Sequence, residues 1–116
     1  MDAATRAEFQ GLLRILRDEL EETLRTDDAR LAAIRAARAD TTDDDEHDPE
    51  GATLSAEWSR AEGQSAGVRQ ELAEVDRAEQ KLTDGRYGLC EVCGQDIPLA
   101  RLRIKPAARR CVNCAD

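Results

Sequence analysis

Four cysteines, Cys90, Cys93, Cys111 and Cys114, are the only ones in the chain, and all lie in its last quarter. They are arranged as CxxC, seventeen residues, CxxC. Two thiolates two residues apart on a tight turn form half of a tetrahedral site, and a second pair completes it. This spacing points to one structural zinc bound by Cys90, Cys93, Cys111 and Cys114. Two disulfides, or four core thiols, are the alternatives. Residues 1–10 mix charged and small side chains without an apolar run, so they do not resemble a secretory signal. The expected compartment is therefore the reducing cytoplasm, where paired CxxC motifs favour metal over disulfides. All four ligands being cysteine, no coordination position is left open for a substrate. No nucleophile–base pair or phosphate-cradling glycine loop is visible either. The expectation is a protein that is not an enzyme.

The elements that must position these sulfurs come from an unusual composition. Of the 116 residues, 36% are charged, and there is one Phe, one Trp and one Tyr. That is too little apolar bulk for an ordinary globular core and points to long helices burying a narrow stripe. No apolar run approaches the length of a membrane span. Residues 1–84 carry 11 basic and 22 acidic side chains, whereas residues 85–116 carry 6 basic and 3 acidic. A tetrathiolate zinc centre contributes a charge of about −2, offsetting most of the local excess. The overall balance of −8 argues against a binder of the nucleic-acid backbone.

From Leu54 the positions Leu54, Trp58, Ala61, Ser65, Val68, Leu72, Val75, Glu79 and Leu82 alternate steps of four and three. This is the seam of a coiled coil, weakest at Ser65 and Glu79, with Gly63 and Gly67 off the stripe. Trp58 is expected to pack in the seam. A matching stripe runs through Phe9, Leu13, Leu16, Leu20, Leu24, Leu31 and Ile34, with a stutter that puts Asp27 on the seam. Neither helix can bury its stripe alone. The predicted fold is mainly α, an antiparallel two-helix coiled-coil hairpin over residues 1–84 followed by a zinc-finger module over 85–116.

The linker reads DTTDDDEHDPE over residues 40–50. Asp48 and Pro49 make a sound helix start, and Gly85 a sound stop, predicting a second helix from about Pro49 to about Thr83. Such a helix is on the order of 50 Å long. The acids Asp44, Asp45, Glu46, Asp48 and Glu50 would then sit at the far end of a thin arm. Charge runs are commonly just solvated turns, but acids at the end of a needle are placed to enter something. The only histidine, His47, is read as a solvated loop residue. Pro98 and Pro106 mark turns between the cysteine pairs.

The segment GRYGLCEVCGQDIPLARLRIKPAARRCVNC as a whole resembles the zinc-finger signature of the DksA/TraR family. The matching positions are Gly85, Tyr87, Gly88, Cys90, Glu91, Cys93, Gly94, Ile97, Arg101, Leu102, Pro106, Cys111 and Cys114. A helical hairpin with an acidic tip before such a finger is also that family's architecture. The resemblance implies a transcription regulator that binds RNA polymerase and not promoter DNA. Its coiled coil would enter the secondary channel, with tip acids acting near the catalytic magnesium. In the family's DxxDxA tip pattern, Asp45 and Asp48 fit the two acid positions best, with Glu50 where alanine is expected; the other register starts at Asp48 and puts Gly51 in place of the second acid.

Family members that respond together with ppGpp use basic residues on the second helix and just past the last cysteine. Here the helix carries Glu71 and Glu74, and Asp116 follows Cys114 by two residues. Weak or absent ppGpp dependence is therefore expected. Arg101, Arg103, Lys105, Arg109 and Arg110 are the candidates for contact with the polymerase rim. The same five side chains support a different reading, a small zinc-ribbon adaptor binding nucleic acid or another protein, although Tyr87 alone offers little stacking surface. A third, a redox or zinc-status sensor, has no feature that selects it. An internal partner helix favours a monomer.

Overall fold

The computed structural model describes residues 1–40 and 49–115. Its element order is α1 (Ala3–Ala39), α2 (Pro49–Asp84) and α3 (Leu99–Ile104). The chain divides into two compact units, Met1–Glu19 with Glu71–Asp116, and Leu20–Gln70. Both long helices contribute to both units, and they run antiparallel within each.

In the first unit α1 starts at a side-chain cap. Asp2 Oδ1 accepts a 2.7 Å hydrogen bond from the Thr5 amide, satisfying an otherwise orphaned donor of the first turn. That bond holds the Asp2 carboxyl below its ordinary range. Phe9 and Leu13 of α1 are fully buried in this unit, as are Val75, Ala78 and Leu82 of α2 to within a few per cent. Tyr87, Ile97 and Leu102 of the finger are buried too, with the Tyr87 ring against that of Phe9. Glu79, the weak position of the predicted seam, is half-buried, and its carboxylate pairs with Arg17 of α1, which also reaches Asp76. The charged side chain is therefore tolerated because its partner comes from the facing helix.

Helix α2 stops where predicted, within one residue. Gly85 takes a φ of 75°, and the Arg86 amide donates to the Lys81 carbonyl at 2.9 Å. The Gly85 amide donates to the Leu82 carbonyl, completing a Schellman motif. Arg6 Nη2 of α1 supplies a second donor to the Leu82 carbonyl at 2.6 Å. The helix end is thus held from two sides.

In the second unit, Leu20 and Ile34 of α1 are buried with Ala61 of α2, while Leu24, Leu31, Leu54, Trp58 and Val68 are half-buried. The predicted stutter is real in its consequence, since Asp27 is only 6% exposed. Ser65, also on the predicted stripe, is 4% exposed, and its hydroxyl donates to Asp28 Oδ1 at 3.3 Å. Arg69 pairs with the same carboxylate, Arg30 donates to Gln64, and the Arg35 guanidinium lies 5.4 Å from the centre of the Trp58 ring. As residue numbers rise along α1 they fall along α2, the signature of antiparallel pairing.

Gly63 and Gly67 are exposed in the middle of α2, and an added Cβ at either would meet nothing within 4 Å. Glycine there costs unfolded-state entropy with no steric return. Gly63→Ala and Gly67→Ala are each expected to stabilise the protein by about 0.5–1 kcal/mol, read as a rise in the urea midpoint.

Candidate metal centre

After Gly85 the chain has to bring Cys90 back onto itself twice. Gly88, at a φ of 88°, accepts from the Ile97 amide at 2.7 Å, and Leu89 bridges Asp96 in antiparallel fashion. Inside this small loop the Cys90 amide donates to the Gln95 carbonyl, and the Gly94 amide to the Cys90 carbonyl. Gly94 has a φ of 73°, which a side chain would strain, so the turn that presents Cys90 and Cys93 depends on it.

Pro98 then opens α3, whose Leu102 is fully buried. The Lys105 amide donates to the Arg101 carbonyl and the Ala108 amide to the Lys105 carbonyl, turning the chain back. Arg101 Nε donates to the Arg110 carbonyl at 3.0 Å, steadying the approach to the second pair. There the amides of Cys114 and Ala115 both donate to the Cys111 carbonyl.

The four sulfurs lie within 4.8 Å of one another, and Cys93 Sγ is 3.8 Å from Cys111 Sγ. A tetrahedron with zinc–sulfur bonds of about 2.3 Å has edges of about 3.8 Å, so the donor set fits zinc in both chemistry and size. The electrostatics agree. Hydrogen bonding from the Cys93 amide, then the Cys111 amide, lowers the Cys90 thiol to about 6. By contrast, the Cys111 side chain, followed by Cys90, pushes Cys114 up to about 12. Four sulfurs this close cannot all ionise alone, and a bound cation is what reconciles them.

A family model described as the prokaryotic dksA/traR C4-type zinc finger matches residues 85–116. General stress protein 16O of Bacillus subtilis (strain 168) is 53% identical over 45 residues, 39% of this chain and 28% of that protein. RNA polymerase-binding transcription factor DksA of Caulobacter vibrioides (strain NA1000 / CB15N) is 38% identical over 48 residues, 41% of this chain and 34% of that protein. Beyond the finger, the solved structure of transcription factor DksA2 from Pseudomonas aeruginosa is matched over 97% of this chain and 81% of that one. The TM-score is 0.83 at 25% identity. The chain is thus similar to the DksA/TraR family in its finger and to a DksA structure over most of its length. The matched segments span about a third of the length of the curated relatives. The DksA-type finger carries one structural zinc.

The other residues singled out from the sequence have different fates. Asp44, Asp45, Glu46, His47 and Asp48 lie outside the described residues. Glu50 is in the first turn of α2, with its side chain outside the description. On the finger, Arg103 pairs with Glu8 of α1 at 2.8 Å and Arg109 pairs with Glu91 at 2.8 Å. Lys105 is exposed, and Arg101 is half-buried. Arg101, Lys105, Arg109 and Arg110 line a groove of about 670 Å³ whose lining also includes Glu71 and Glu74 of α2. No helix among the described residues is long and apolar enough to cross a membrane.

Two features escaped sequence reasoning. Tyr87, weighed as a stacking surface, is buried, with its ring 5.4 Å from that of Phe9 and its hydroxyl donating to the Pro106 carbonyl at 2.7 Å. Burial pushes its pKa above the ordinary phenol range. Glu91, noted only as a motif match, bonds both Lys81 and Arg109, and the Lys81 hydrogen bond first, then that of Arg109, lowers its carboxyl. Its place in the motif was visible, but a partner ten residues back and another eighteen residues on was not.

Because zinc binding in such a site is folding energy, chelation is expected to release one zinc per chain and to abolish the near-ultraviolet circular dichroism of Tyr87. Most of the far-ultraviolet helical signal, which comes from α1 and α2, is expected to remain. A chelator titration followed in both wavelength ranges checks this.

Proposed function

We propose that this chain is a transcription regulator that binds RNA polymerase, inserts its acidic tip through the secondary channel and alters initiation. The observation that carries the reading is the likeness to DksA2 over 97% of the chain, well beyond the finger. Curated relatives named RNA polymerase-binding transcription factor DksA support the partner. The acids at the tip, Asp45 and Asp48 with Asp44, Glu46 and Glu50, are hard oxygen donors suited to a magnesium ion or to basic side chains. On this reading zinc holds the finger, the rim contact falls to its basic residues Arg101, Arg103, Lys105, Arg109 and Arg110, and no reaction is catalysed. The protein works as a cytoplasmic monomer.

The adaptor reading, in which the finger binds nucleic acid, draws less support from the geometry. Tyr87 is buried and offers no face to a base, and Arg103 and Arg109 are engaged by carboxylates.

Competition against a known secondary-channel factor on purified bacterial RNA polymerase tests the partner. Displacement is expected, and failure to bind overturns the reading in favour of the adaptor. Asp45→Asn with Asp48→Asn is expected to keep binding and lose the effect on transcription in vitro; an unchanged effect would remove the tip from the mechanism.

Glu71 and Glu74 on the wall of the groove repel a polyanion, so ppGpp is expected to add little. Multi-round transcription with and without ppGpp should differ by less than the roughly fivefold at the low end of ordinary allosteric coupling. A larger change would show that the acids do not exclude the nucleotide.

A further inference from the structure

Glu91 is bonded through both carboxylate oxygens and its main-chain amide. It stands inside the first CxxC, next to Cys90. Its Oε1 accepts from Lys81 Nζ at 2.6 Å and its Oε2 from Arg109 Nε at 2.8 Å. Its main-chain amide also donates to the Arg109 carbonyl at 2.9 Å. Lys81 belongs to the last turn of α2, and Arg109 lies two residues before Cys111. One residue therefore grips the approach to the second cysteine pair by main chain and side chain at once, and grips the helix that carries the finger by a salt bridge.

Each cysteine pair sets its own internal geometry through local turns, Gly94 to Cys90 and Cys114 to Cys111. Those bonds say nothing of where one pair stands relative to the other. The double link from Glu91 to Arg109 joins them directly. The side chains of Lys81, Glu91 and Arg109 are 20%, 30% and 39% exposed, so it is the double link, and not the strength of either ion pair, that matters here. The same carboxylate keeps two cations close in sequence to a zinc–thiolate centre whose own charge is about −2.

We propose that Glu91 is the positioning residue of the metal centre. It sets the placement of Cys111 and Cys114 against Cys90 and Cys93, and with it the zinc affinity, without touching the ion. The proposal rests on the zinc reading of the four cysteines.

The test uses the full zinc-loaded chain in competition with a chromophoric chelator, with helicity checked by circular dichroism. Glu91→Gln keeps size and removes charge; Arg109→Met removes the partner. Each is expected to weaken zinc binding by about tenfold or more, the usual scale for outer-shell partners of a metal site. The double variant should lose little more than Glu91→Gln alone, because the Arg109 link that the second change removes is already broken in it. Glu8→Gln, which frees Arg103 in the same unit, should leave zinc affinity nearly unchanged. Cobalt(II)-loaded Glu91→Gln should show a shifted thiolate-to-metal band. Wild-type affinity in Glu91→Gln, fully additive losses, or an equal loss in Glu8→Gln would each overturn the proposal. If Glu91→Gln loses helicity, Arg109→Met decides by the same criteria. Absence of thiolate-to-cobalt bands in the wild-type chain would instead sink the zinc reading itself.

Discussion

Four sulfurs can share one ion only if two turns, seventeen residues apart in sequence, return to the same point within about a bond length of the metal. That closure shapes the chain from Gly85 to Cys114. It requires left-handed glycines at positions 85, 88 and 94, where the backbone reverses too sharply for a side chain. It also needs a short helix, α3, to take up the intervening length, and the fully buried Leu102 to anchor that helix. Metal and buried side chains depend on each other: the sulfurs supply what so few apolar residues cannot, and Phe9, Tyr87 and Leu102 hold the loop where the sulfurs can meet.

The paired helices work under the opposite constraint. Their seam is thin, with Ala61, Ser65 and Ala78 at buried positions and Asp27 among the leucines. Small and polar residues there give up apolar burial. What they gain is definition of pairing: Ser65 and Arg69 both address Asp28, and Arg17 answers Glu79. Polar groups at a seam are satisfied in one register and stranded in others, the best-attested structural use of such residues.

The charge distribution has a similar double character. A count of basic residues makes the finger look like a surface for polyanions, yet Arg103 and Arg109 are spent on Glu8 and Glu91. Arg101, Lys105 and Arg110 line a groove that includes Glu71 and Glu74. The result is a surface on which both signs of charge stand side by side.

Much was legible in the sequence because it is local or periodic. The metal ligands follow from CxxC spacing, the helix end at Asp84 from Gly85, and the buried faces from steps of three and four, down to the intrusion of Asp27. Each of these depends on residues a few positions apart, where covalent geometry leaves few choices. Tertiary structure alone decided that Tyr87 turns inward onto Phe9, that Glu8 takes Arg103, and that Glu91 spans Lys81 and Arg109. Those partners lie 10 to 95 residues apart, and no period or motif pairs them. Charge type is written in the sequence; which opposite charge comes within reach is settled only when the helices and the metal loop close on one another.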